Sequence, residues 1–216
     1  MTVTREETVN RVRAELPTFL HGRRLTHTLA VEKEILSLAE PFCMTDALTV
    51  DENTLRVAAL LHDMTKQSEQ KALCEQYGID GGAVTSPELL HALTGAKAAG
   101  EKYAVDETVC EAIRCHTTGK VGMTLFEKLL FLADFTEPNR VHESCAEVRA
   151  YVHTALRDAK TLGERLRVID IACIKSIDAT LSHLLATGMP IEPRTVAARN
   201  DLLCAFMKGK IDAGAR

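Results

Sequence analysis

Six residues carry the chemistry this sequence is equipped for: His27, the adjacent pair His62-Asp63, His91, His116 and Asp134. Most sit in strongly apolar company. His27 is followed by Leu29-Ala30-Val31, His62-Asp63 closes the run from Leu55 to Leu61, His91 lies between Leu90 and Ala92, and Asp134 ends Leu129-Leu130-Phe131-Leu132-Ala133. Polar groups in such surroundings are costly unless hydrogen-bonded, ion-paired or bound to metal. Singly, each has an ordinary reading. A lone histidine on an apolar helix is usually a hydrogen-bonded core residue. Asp134 could be the partner of a buried arginine such as Arg140, and His62-Asp63 could be a plain helix end. Together, four imidazoles and two carboxylates suit two octahedral first-row metal ions, with Asp63 able to bridge because a carboxylate has two oxygens. Two ions about 3.5–4 Å apart clamp a phosphate and turn a bridging water into hydroxide near neutral pH. That is phosphohydrolase chemistry. A closed structural zinc site would use Cys or Cys and His instead.

Further residues stand near this set. Lys66 comes three residues after Asp63, on nearly the same side of a continuing turn, and could bind the phosphate being cleaved; a solvated lysine at a helix end is the alternative. With Asp63 it makes up the expected catalytic pair. Arg24, one turn before His27, and Arg140 could hold flanking phosphates or form structural salt bridges. Thr117, Thr118 and Gly119 follow His116 and could offer hydroxyl and N–H donors to phosphate, or simply end a helix. The loop 117–122 is read as a lid or phosphate-facing loop. Cys115 is read as a small buried thiol rather than a redox switch. His21, His142, His153 and His183 fall outside the pattern.

Helices must position these groups. Capping boxes fit Thr4/Glu7, Thr49/Glu52, Thr124/Glu127 and Ser144/Glu147, and Ser86-Pro87 adds an N-cap followed by proline at the first helical position. Clear period-two strands are missing, so the expected fold is all-α, with one domain over residues 1–216. Helices are expected at 4–20, 24–40, 50–63, 67–77, 86–103, 107–116, 124–135, 144–158, 161–187 and 194–207. The stretch 55–61 is apolar nearly all round, as in the central helix of a bundle. Gly78 to Gly82 reads as a turn or mobile edge. The apolar stripe Leu166, Ile169, Cys173, Ile177, Leu181, Leu184 and Leu185 reads as core or as the seam of a homodimer.

Composition narrows the function. A chain that is 4% aromatic with no Trp, net charge -4 and pI near 6.1 has neither stacking platforms nor a basic footprint for nucleic acid. Seven cysteines without a CxxC pair, a polar acidic start, and no run near ~20 apolar residues point to reduced thiols, no membrane span and a cytoplasmic home.

The order His27, His62-Asp63, Asp134 resembles the HD-domain superfamily of metal-dependent phosphohydrolases, which are helical bundles. Leu60-Leu61-His62-Asp63-Met64-Thr65-Lys66, Leu90-His91, His116-Thr117-Thr118-Gly119 and Ala133-Asp134-Phe135-Thr136-Glu137-Pro138-Asn139-Arg140 are closer still to its YqeK-like branch, the symmetrical bis(5'-nucleosyl)-tetraphosphatases. The resemblance implies cleavage of diadenosine tetraphosphate into two ADP by a metal-bridging hydroxide. It also implies that His27, His62, Asp63 and Asp134 hold one ion and that His91 and His116, with Asp63 bridging, hold the second. Two divalent or trivalent ions, most often iron, are implied, and the same ligands suit Mn, Co or Zn. Thr65 and Thr136 depart from the pattern and are expected to leave the ligands untouched. The alternatives are another HD phosphohydrolase, acting on nucleoside monophosphates, dNTPs, an alarmone or a cyclic dinucleotide, and a nucleotide sensor without catalysis.

Overall fold

Helix-start chemistry explains several element boundaries. A computed structural model describes residues 5–214, with side chains through Met207. Among the described residues there are ten α-helices and no strand, as expected for an all-α chain: α1 (Arg5–Phe19), α2 (Gly22–Ala39), α3 (Glu52–Leu61), α4 (Gln70–Tyr77), α5 (Leu90–Tyr103), α6 (Glu107–Cys115), α7 (Leu125–Thr136), α8 (Glu143–Asp158), α9 (Leu162–Thr187) and α10 (Pro193–Gly214). The capping box at Thr124/Glu127 forms, and so does one at Thr161/Glu164. Two expected boxes do not. Asp51, not Thr49, caps α3: its short carboxylate accepts from Thr54 N at 2.8 Å, directly at the first turn. Ser144 lies inside α8, which starts at Glu143, and its Oγ meets His142 Nδ1 at 2.9 Å. Thr4 lies outside the described residues. Ser86-Pro87 opens a 3-10 turn, Pro87–Leu89, that leads into α5; the Ser86 side chain makes no capping bond. Gly78, with φ of 62°, closes α4 as a left-handed C-cap.

The apolar run of α3 becomes the middle of the bundle. Leu55, Ala58, Ala59, Leu60 and Leu61 are all buried, enclosed by α1, α2, α6 and α7. Burying each leucine there stabilises the fold by roughly 1.5–3 kcal/mol. The core thus fixes the point at which His62 and Asp63 emerge. On α9 the expected stripe divides: Ile169, Cys173 and Ile177 are fully buried, whereas Leu181 and Leu184 are half-buried and Leu185 is 70% exposed. No helix among the described residues is long and apolar enough to cross a membrane.

Candidate metal centre

Helix ends deliver three of the four histidines. His62 is the C-cap of α3 and His116 the C-cap of α6, while His91 follows the 3-10 turn at the start of α5. Behind His62 and His116 the last carbonyls of α3 and α6 are only partly used by the helical ladder, and Glu88 lies in the 3-10 turn before α5. Each imidazole exploits the carbonyl three residues back: His62 Nδ1 donates to Ala59 O at 2.7 Å, His91 Nδ1 to Glu88 O at 2.5 Å and His116 Nδ1 to Ile113 O at 2.6 Å. With Nδ1 as the donor, each Nε2 lone pair faces inward. Close approach of α5 helps, because a Cβ on Gly95 would lie 3.3 Å from Thr65 Oγ1 and 3.6 Å from His62 O. His27 is different: it sits inside α2, and its Nδ1 donates to Glu137 Oε1 at 3.1 Å.

The four Nε2 atoms converge on two carboxylates, Asp63 buried and Asp134 half-buried. Asp63 Oδ2 accepts from Arg24 at 2.6 Å and lies 3.4 Å from His62 Nε2 and 3.7 Å from His27 Nε2. Its other oxygen, Oδ1, lies 3.1 Å from His91 Nε2 and 3.7 Å from His116 Nε2. Asp134 Oδ1 lies 2.9 Å from His27 Nε2 and accepts from Arg140 at 2.7 Å. The Asp134–Arg140 ion pair weighed from sequence is therefore present, alongside the histidine contacts. All six residues come together.

The donor set fits a metal. His27 Nε2 and His62 Nε2 are buried, face carboxylate oxygens, and have no hydrogen-bond partner. A lone pair turned toward an anion is unfavourable until a cation lies between them. One ligand atom each from His27, His62 and Asp134 lies within 4.8 Å of the others, as does a set from His62, Asp63 and His116. Burial alone would raise the Asp63 carboxyl pKa, but the imidazoles of His62, His116 and His91 packed around it hold it well below the usual carboxylate range. Asp134 is also held low against burial, chiefly by Arg140 and His27. Burial lowers the His91 pKa, which keeps that ring neutral and able to ligate.

Around the centre lies a cavity of about 340 Å³, lined among others by Lys66, Thr117, Phe131, Phe135 and Thr180. Successive turns, Met64 N to Leu61 O and Lys66 N to Asp63 O, bring Lys66 back to the Asp63 side. Its Nζ lies 3.4 Å from Glu88 O and 3.2 Å from His91 Nδ1, and burial lowers its pKa against the pull of Asp63. Arg24 and Arg140 also line a second cavity, of about 620 Å³, with Arg23, Thr26 and Asn139, so the two guanidinium groups stand between the cavities.

Of the three expected loop donors, only Thr117 lines the metal cavity; its hydroxyl is buried without a partner. Thr118 and Gly119 face elsewhere. The Thr118 hydroxyl donates to Gly119 O, and Gly119 N–H donates to Cys115 O at 2.8 Å to close α6. The loop 117–122, read as a lid or phosphate-facing loop, is tied to its surroundings in this structure. Lys120 pairs with Glu111 and with buried Glu127, and Gly122 N donates to Asp201 on α10. The Cys115 thiol donates to Ala112 O, and burial pushes its pKa up to about 12, which leaves it inert. Thr65 departs from expectation by engaging a candidate ligand: its hydroxyl donates to the His91 carbonyl at 3.0 Å. Thr180 on α9 and Phe131 and Phe135 on α7 were missed from sequence. Phe135 and Glu137 both lie inside the quoted Ala133–Arg140 motif, and Glu137 drew no separate attention there.

A helical bundle that converges four imidazoles and two carboxylates beside cationic side chains defines a class, the metal-dependent phosphohydrolases. Residues 24–139 match the model of the HD domain. The chain is 34% identical over 189 residues to the symmetrical bis(5'-nucleosyl)-tetraphosphatase of Halalkalibacterium halodurans, covering 85% of this chain and 91% of that protein. It is 32% identical over 206 residues to the protein of the same name from Bacillus subtilis, covering 93% and 98%. A crystal structure of a predicted HD superfamily hydrolase involved in NAD metabolism, from Clostridium acetobutylicum, superposes with a TM-score of 0.75 at 27% identity over 91% of this chain and 97% of that one. The chain belongs to the HD domain family, in the group that holds the symmetrical bis(5'-nucleosyl)-tetraphosphatases.

Proposed function

We propose that this protein hydrolyses dinucleoside tetraphosphates symmetrically, diadenosine tetraphosphate to two ADP being the reference reaction. The observation that carries the reading is the division of Asp63: one carboxylate oxygen faces His27 and His62, the other His91 and His116. His27, His62, Asp63 and Asp134 would hold one ion, and His91, His116 and Asp63 the other. Iron is the favoured metal, with Mn, Co and Zn as substitutes. When bound, the ions supply Lewis-acid charge and a water activated near neutral pH.

The protein's own groups do the rest. Lys66, at the edge of the metal cavity, donates to the phosphoryl group under attack, and burial strengthens that contact. Arg24 and Arg140 present forked donors to the phosphates on either side. Thr117 adds a hydroxyl that has no other partner. Phe131 and Phe135 limit water in the cavity. A cavity on each side of the arginine pair suits a substrate with a nucleoside at each end. The leaving nucleoside diphosphate is already acidic, so no general acid is required.

The test is a substrate panel with iron-, manganese- and cobalt-loaded protein: diadenosine tetraphosphate, NAD, nucleoside monophosphates, dNTPs, an alarmone and a cyclic dinucleotide, with products separated by chromatography. ADP as sole product from the tetraphosphate is expected. Turnover of another substrate with the tetraphosphate untouched would overturn the reading, and tight binding without any turnover would favour a sensor.

A further inference from the structure

Three imidazoles of the centre are oriented by peptide carbonyls, and His27 cannot be. It lies in the body of α2, where carbonyls are committed to the helical ladder. Its Nδ1 partner is instead Glu137, 110 residues away in sequence. Glu137 is 1% exposed, and every polar atom of it is engaged. Oε1 accepts from His27 Nδ1 at 3.1 Å, and Oε2 accepts from Asn139 N at 2.7 Å. Its N–H donates to Ala133 O, and its carbonyl accepts from Arg140 N and from the Arg149 guanidinium, both at 3.1 Å. A buried carboxylate is costly unless its oxygens are used. Here one oxygen serves a candidate metal ligand, and the other serves the turn that carries Arg140 to Asp134.

We infer that Glu137 is the positioning residue of the His27 half of the centre: its carboxylate fixes the Nδ1–H tautomer of His27, turns Nε2 toward the ion, and through Asn139 N holds the turn that presents Arg140. A carboxylate partner also makes the imidazole a stronger donor to metal than a carbonyl partner does. Glu137 thereby couples metal retention to the placement of a phosphate-binding arginine. The inference rests on the metal-centre reading above.

Metal-free wild type, E137Q and H27A are titrated with Co2+ against a chromophoric chelator, with the visible Co2+ spectrum recorded at each step. E137Q keeps the side-chain volume but not the charge. One of its two ions is expected to bind about 10–100-fold more weakly, with a changed spectrum for that ion, while the other stays near the wild-type value. A purely structural cap at the end of α7 would lower the melting temperature and leave both affinities unchanged, and that result overturns the inference. The H27A arm separates the two readings. If H27A keeps both ions, the metal centre itself is misassigned; if H27A loses one and E137Q loses none, only the role of Glu137 falls. Folding of the variant is not a prerequisite for a second measurement, on zinc-loaded wild type by 15N–1H correlation. His27 should show a downfield, slowly exchanging Nδ1–H, and a fast-exchanging Nδ1 would overturn the inference equally.

Discussion

His62, His91 and His116 are turned by carbonyls three residues back in their own chain segments, whereas His27 is turned by a carboxylate from the end of α7. The first arrangement is local and resists mutation, because no side-chain change removes a peptide carbonyl. The second depends on two distant segments meeting, and a single substitution abolishes it. Three imidazoles of the centre are therefore placed by secondary structure and the fourth by tertiary packing. Asp63 spans both, which makes it the point at which the comparison can be tested hardest.

The largest effect should come from D63A, which removes the shared carboxylate. Activity is expected to fall by more than ~10³-fold, beyond the loss of one stabilising donor, and metal analysis should show both ions weakened. Loss of one ion alone would mean that the two sides do not share a bridge. K66M should come next, lowering kcat/KM by ~10²–10³-fold with metal content unchanged; a coincident loss of metal would move Lys66 from substrate to ligand support. E88A should be mild. Glu88 holds His91 through its backbone carbonyl, so cobalt affinity should stay close to wild type, and a drop matching that of E137Q would erase the distinction drawn here.

The smallest effect concerns a second carboxylate-held imidazole that serves no metal. His153 Nε2 meets buried Glu34 Oε1 at 2.9 Å, an oxygen that also accepts from Thr136 at 2.8 Å. The hydrogen bond to Glu34 raises the His153 pKa above its ordinary 6.5. A raised folded-state value means that this stabilisation is fully present below about pH 6.5 and is lost as pH rises through the folded value. Urea midpoints of wild type and H153Q should therefore differ most at acidic pH and converge at alkaline pH. A gap that does not change with pH would rule out a charged pair.

The local features were the legible ones. Apolar runs ending at His62 and Asp134, and helix-start signals such as Thr124/Glu127, announced the bundle and pointed to the candidate ligands, because amphipathic period and capping are written within a few residues. What stayed hidden is long-range. The His27–Glu137 bond joins segments 110 residues apart, and Thr180 reaches the cavity from α9, which no spacing rule encodes. Thr118 and Gly119 resembled phosphate donors because the sequence does not show which way a turn faces. Asp51 displaced Thr49 as a cap because two adequate capping residues stood close together.

The loop after His116 has a consequence for anyone trimming or grafting this chain. All the candidate ligands lie within residues 24–139, yet that loop is tethered by residues far beyond them. A Cβ on Gly119 would come 3.0 Å from Ala198 Cβ, and Gly122 is tied to Asp201, both on α10. A transplant cut after residue 139 would carry every ligand and leave its anchorage behind. The smallest portable form of this centre is set by α10.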